Sequence, residues 1–145
     1  MQKRLPLVAC LLIVSGCSSQ NSPVFDAPSL IGQKFEFAER TLGKPHSNEI
    51  SYWPKGAVRG ALWRTPNREF LSVMYDTQTK VPYAITFTSP TAVTKAEVER
   101  LYRAANLKEG GPYKLELLPS ESDRSKYDKV RVTPLVVKSQ LAHRG

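Results

Sequence analysis

Three short segments of strand character lie so close together that the chain between them can only turn back on itself. They are residues 57–65, 69–76 and 81–88. In the second, Leu71, Val73 and Tyr75 alternate with Phe70, Ser72 and Met74. In the third, Tyr83, Ile85 and Phe87 share one side. The connections around Pro66-Asn67 and through Thr77-Gln78-Thr79-Lys80 are far shorter than the dozen or so residues a parallel crossover needs. The spacing therefore predicts an antiparallel meander of hairpins. The first segment can extend back to Ile50 across Pro54 and Gly56. Pro82 has no N–H and belongs at a strand start or on an edge. Residues 113–118 and 130–137 are further strand candidates, the latter interrupted by Pro134.

Two helices complete this pattern. Over residues 33–42, Phe35, Ala38 and Leu42 recur at helical spacing, Glu36 stands four residues before Arg40, and Gly43 and Pro45 end the run. A helix this short is marginal alone and must pack on the sheet. The second opens on a capping box, Thr94-Lys95-Ala96-Glu97, with Val93 and Val98 placed as a hydrophobic staple. Val98, Leu101, Tyr102 and Ala105 form its apolar stripe, and Asn106 through Gly110-Gly111 ends it. The expectation is α+β: an antiparallel meander of three to five strands with two helices packed on one face. The expected core is Phe35, Ala38, Leu42, Leu71, Val73, Tyr75, Ile85, Phe87, Val98, Leu101 and Tyr102.

The N-terminus reads as an address. Lys3 and Arg4 precede an apolar run over residues 5–14, too short to span a bilayer. Val14-Ser15-Gly16-Cys17 then fits a lipobox, with small residues for the peptidase cleft and the Cys17 thiol as acyl acceptor. The expectation is a signal peptide over 1–16 and an acylated Cys17. A flexible tether over 17–28, a domain over 29–139 and a frayed end over 140–145 would follow. About ten tether residues would span roughly 17 Å. Ser18 and Ser19 stand where an Asp would favour inner-membrane retention. The outer membrane, facing the periplasm, is thus the expected location ahead of the inner one.

The stretch Gly32-Gln33-Lys34-Phe35-Glu36-Phe37-Ala38-Glu39-Arg40-Thr41-Leu42-Gly43-Lys44-Pro45 resembles a motif of the small protein A family. These are the outer-membrane barrel-assembly lipoproteins also called BamE. The resemblance extends over residues 32–88 and implies a lipobox, two helices and a three-stranded antiparallel sheet, a unit similar to that of β-lactamase inhibitor proteins. It implies structural roles for Gly32, Leu42 and Gly43 and a protein partner in the envelope. The chain departs from the family in lacking a helix before Gly32, in carrying Gln33 where the family is apolar, and in continuing well past residue 88.

Reactive chemistry is sparse. Two histidines and two cysteines among 145 residues leave little room for a zinc site, and no metal or cofactor is expected. His46 and His143 lie in polar surroundings, no serine sits in a nucleophile elbow, and Gly110-Gly111 lacks the residues of a phosphate loop. The chain is expected not to be an enzyme; a small hydrolase would need a pocket beside His46. Tyr52, Trp53, Arg59, Arg64 and Arg68 combine aromatic and arginine chemistry suited to a protein partner. Trp63 and Trp53 equally admit a core role. A surplus of 21 basic over 13 acidic residues gives a charge of +8. Lys114, Arg124, Lys126, Lys129 and Arg131 are candidates for an anionic surface. Nucleic acid is not the expected partner outside the cytoplasm. The leading reading is a non-enzymatic, membrane-anchored envelope lipoprotein that binds a protein, for assembly or to inhibit a hydrolase. The alternative is a module that binds anionic envelope lipid or polymer through a basic face.

Overall fold

The computed structural model describes residues 22–53 and 56–135. Six strands form a single antiparallel sheet: β1 (Ser47–Trp53), β2 (Gly56–Arg64), β3 (Phe70–Asp76), β4 (Pro82–Val93), β5 (Tyr113–Pro119) and β6 (Tyr127–Pro134). Their spatial order is β1-β2-β3-β4-β6-β5. The first four make the expected meander. The last two form a hairpin whose second strand inserts beside β4, leaving β5 at the edge.

The sheet has six strands rather than three to five. The added strand is β1, read from sequence as a backward extension of β2. Instead the chain reverses between them, and Trp53 faces Gly56 across the pair. Pro54 cannot donate a ladder hydrogen bond, and its ring disfavours regular continuation of the strand. Pro82 is the first residue of β4, where a missing N–H is tolerated. A bulge sets Tyr75 opposite Pro82 while Met74 faces Ala84. Tyr83 is thereby displaced from the core face and stays 38% exposed, although its spacing matched Ile85 and Phe87.

Alternation sorts the sheet into two faces. Trp63, Leu71, Val73, Tyr75, Ile85, Phe87, Val130 and Val132 are buried on one. The other carries Leu62, Phe70, Met74, Thr86, Arg131 and Glu116, none of which belongs to the core cluster. Helix α1 (Phe35–Leu42) buries Phe35 and Ala38 in that cluster, and α2 (Glu99–Ala104) buries Leu101 and Tyr102. Gly43 ends α1 with φ at 82° and extended ψ, a conformation that favours glycine. Its carbonyl accepts the Trp63 indole N–H at 2.8 Å, which fastens the helix end to β2. Trp63 therefore takes its core role. Leu42, expected in the core, is only half-buried against it.

The second helix is prefaced by a 3₁₀ turn, Lys95–Glu97. The Glu97 carboxylate accepts from the Thr94 backbone N–H at 3.1 Å and hydroxyl at 2.9 Å, as the capping sequence predicts. Asn106, with φ at 56°, closes α2 in a Schellman pattern. Asn106 N–H donates to Arg103 O and Leu107 N–H to Tyr102 O.

The packed domain begins before residue 29. Val24 and Phe25 donate backbone N–H bonds to Ala104 O, and Ala27 donates to Ala105 O. Phe25, Ala27 and Leu30 are buried, and Phe25 meets Phe87 edge to face at 6.2 Å. Residues 24–28, read as tether, thus lie against α2 and the sheet, with Ala27–Leu30 forming a 3₁₀ turn. Polar and proline-rich composition concealed a short apolar anchor. Cys17, His143 and the expected frayed end lie outside the described residues, as does the part of the last strand candidate beyond residue 135.

Candidate functional site

Arg59 and Ile50 face one another across β1 and β2, on the side of the sheet where α1 packs. Arg59 Nε donates to Asn48 Oδ1 at 2.7 Å, which fixes the plane of its guanidinium. The guanidinium carbon lies 3.7 Å from the centroid of the Phe35 ring, a stacked cation–π contact. Phe35 in turn meets Tyr75 edge to face at 5.7 Å and Trp63 at 6.2 Å. Beside this stack is a cavity of about 100 Å³ lined by Phe35, Glu36, Ile50, Arg59, Tyr75, Asp76, Thr77 and Lys80. Ile50 stands 58% exposed at its margin.

Tyr75 is 2% exposed, and its hydroxyl has no hydrogen-bond partner among the described residues. Burial pushes its pKa up to about 12; the nearby Arg59 charge opposes that rise and the Glu36 charge adds to it. An unpaired buried hydroxyl costs about 1–3 kcal/mol, so a partner for it would be favourable. Asp76 is committed elsewhere. Its Oδ1 accepts from the backbone N–H groups of Gln78 at 2.8 Å and Thr79 at 2.7 Å, shaping the turn before β4. The Thr79 N–H foremost, with Gln78 and the Lys80 charge adding, holds the carboxyl below its usual range against the opposing effect of burial. The same turn sets Lys80 at φ 63° on the cavity's rim.

The five residues expected to meet a partner do not converge. Arg59 faces α1. Arg64, five residues on and therefore on the opposite face, is exposed and lies 5.6 Å from the Phe70 ring. Arg68 is exposed in the turn between β2 and β3, with φ at 64°. Tyr52 and Trp53 lie on β1 opposite Ala57 and Gly56, so the backbone places them on the edge strand next to Ile50. Their side chains are outside the described part of the structure.

The basic residues are interleaved with carboxylates. Arg131 pairs with Glu116 at 3.6 Å, Lys129 with Glu121 at 3.2 Å and Lys126 with Asp123 at 3.4 Å. Lys114 lies on β5 and Arg124 in the β5–β6 connection, both exposed. Pairing cancels much of the charge on which an anionic-surface reading depends. His46 does not line the cavity, and its backbone N–H donates to Leu62 O. Among the described residues no cluster of three metal-ligating side chains occurs, and no helix is long and apolar enough to cross a membrane.

Sequence reasoning placed Phe35 and Tyr75 in the core without seeing that both border a cavity. Ile50 and Lys80 carried no signal of their own, because only the register of β1 and the turn after Asp76 bring them there. Comparison with protein-family models, curated proteins and solved structures yields no match.

Proposed function

We propose that this chain is a non-enzymatic, membrane-anchored envelope lipoprotein whose small α+β domain binds a protein partner at the β1 margin of its sheet. In this reading Cys17 carries the lipid, the outer membrane faces the domain toward the periplasm, and the partner is of the assembly or hydrolase-inhibitor type. The small protein A resemblance supplies that class of partner. The observation that carries the reading is Ile50, 58% exposed on an edge strand beside the Arg59–Phe35 stack. An exposed aliphatic residue beside an arginine of fixed orientation offers apolar area and a directed donor, and arginine is enriched among the residues that dominate interface energies. An edge strand adds unpaired backbone groups that a partner can engage.

A photo-crosslinker at position 50, with a control at Thr133 on the far side of the sheet, tests this in the native envelope. The reading expects one stoichiometric protein adduct from position 50, none from position 133, and loss of the adduct in the Cys17→Ala chain. Recovery only of lipid or polymer, released by salt, would replace it with the basic-face alternative.

A further inference from the structure

We infer that the cavity between α1 and the β3–β4 turn is a carboxylate pocket that receives an aspartate or glutamate side chain of the partner protein. The inference rests on the partner-binding reading above and names the chemistry of its anchor.

Four observations converge. Arg59 has one hydrogen bond among the described residues, from Nε to Asn48, and no carboxylate within ion-pair distance. Its terminal amino groups are the donors left for a ligand, and its orientation is already fixed by Asn48 and Phe35. A planar guanidinium held in this way is suited to a carboxylate. Tyr75 lines the cavity, and its hydroxyl is unpaired but closed to solvent; the inference assigns it as a second donor, reached when an entering carboxylate displaces its cover. Lys80 adds a cation at the rim, within no ion-pair distance of a carboxylate among the described residues though its charge acts on Asp76. The volume, about 100 Å³, holds about three waters at roughly 30 Å³ each, or one carboxylate with its methylene. That is enough for the end of an acidic side chain.

Two acidic groups face the same space, and both bear on the choice of ligand. Asp76 Oδ1 is taken up by its turn, which keeps the carboxylate ionised, so its charge also opposes an incoming anion and Arg59 and Lys80 must outweigh it. Glu36 is exposed on the first turn of α1 and lines the cavity. Its charge opposes an incoming carboxylate, so the pocket predicts its own improvement: Glu36→Gln should tighten binding. Ile50, beside the mouth, would meet the apolar part of the partner chain flanking the acidic residue.

The test uses the full acylated chain in detergent micelles, with nuclear magnetic resonance of the arginine side chains as readout. The probes are N-acetyl-aspartate methylamide, its asparagine counterpart, and acetate. The expected result is a saturable shift of the Arg59 Nε–H signal with the aspartate probe, none with asparagine, and weaker binding of acetate. Tyr75→Phe should weaken the aspartate probe about 10-fold and Arg59→Gln about 10- to 100-fold, for loss of one charge-assisted bond and of the guanidinium. Glu36→Gln should strengthen it about 3-fold. Tyr75→Phe is the decisive variant, because removing an orphan hydroxyl leaves the core filled. A Tyr75→Phe chain that is more stable yet binds the probe unchanged would overturn the pocket. So would equal shifts from aspartate and asparagine probes, from acetate binding more tightly than aspartate, or from sodium chloride at matched ionic strength. The crosslink at position 50 separates the two readings. Its persistence at wild-type yield in Tyr75→Phe and Arg59→Gln refutes the carboxylate anchor and leaves the partner. Its loss in all chains while the aspartate probe still binds refutes the partner and leaves the pocket without the occupant assigned to it.

Discussion

Burial keeps the Tyr75 phenol protonated to about pH 12, against an ordinary value of 10. The unfolded chain ionises first, so the stability tied to this group is complete below pH 10 and is lost as pH rises toward about 12. Burial also raises the pKa of Tyr83 and Tyr102, so ultraviolet titration should show several late-ionising tyrosines, and Tyr75→Phe should remove the transition near pH 12 and flatten the alkaline limb of the stability curve. Asp76 works in the opposite sense. Its folded pKa is lowered, so its contribution is present above the unfolded value of about 3.9 and disappears as pH falls below it. Asp76→Asn keeps an oxygen for the two turn N–H groups, and acid unfolding followed by circular dichroism should lose part of its pH dependence. Both residues were legible in sequence only as a core aromatic and a turn acid. That they border one cavity follows from pairing partners far along the chain.

Element by element, local signals located starts and stops well. Thr94 and Glu97 announce their turn because the two hydrogen bonds between them need only a few residues. Thr94→Ala should cost about 0.5–2 kcal/mol in chemical denaturation, as a lost cap does. Helix α1 runs from Phe35 to Leu42 within the expected span, yet its last leucine is not where its stripe is deepest. The Trp63 indole reaches the helix end and bonds to Gly43 O. Leu42→Ala should accordingly cost about 1–2 kcal/mol, below the roughly 2–5 kcal/mol of a fully buried leucine. A loss of the larger size would show Leu42 to be a core residue after all. Strand β1 escaped separate notice for a physical reason. Its residues, Ser47–Trp53, have few apolar positions to alternate, and its place comes from pairing with β2.

At the scale of the molecule, the N-terminal segment is part of the fold. Phe25 fills a site against Phe87, and the backbone of residues 24–27 bonds to the end of α2. Asn106 Nδ2 also donates to Asp26 Oδ1 at 3.0 Å. Phe25→Ala should destabilise the domain by about 3–5 kcal/mol, read from denaturant midpoints, as expected for a buried phenylalanine. A flexible tether would give no change.

The sequence by itself determined the class of the fold: alternation, four-residue turns and capping residues act over a few neighbours, and each dictates its own element. It marked the arginine and aromatic residues from which a site could be made. Only the tertiary structure decided which of them meet. Arg59 and Arg64 stand on opposite faces because strand side chains alternate, while Phe35, Ile50, Tyr75 and Lys80 gather around Arg59 because register and helix packing join segments that share no local pattern. Six strands instead of three to five, an anchored residue 25 and a cavity beside an unpaired hydroxyl are all products of those long-range contacts, whose energies no short stretch of sequence contains.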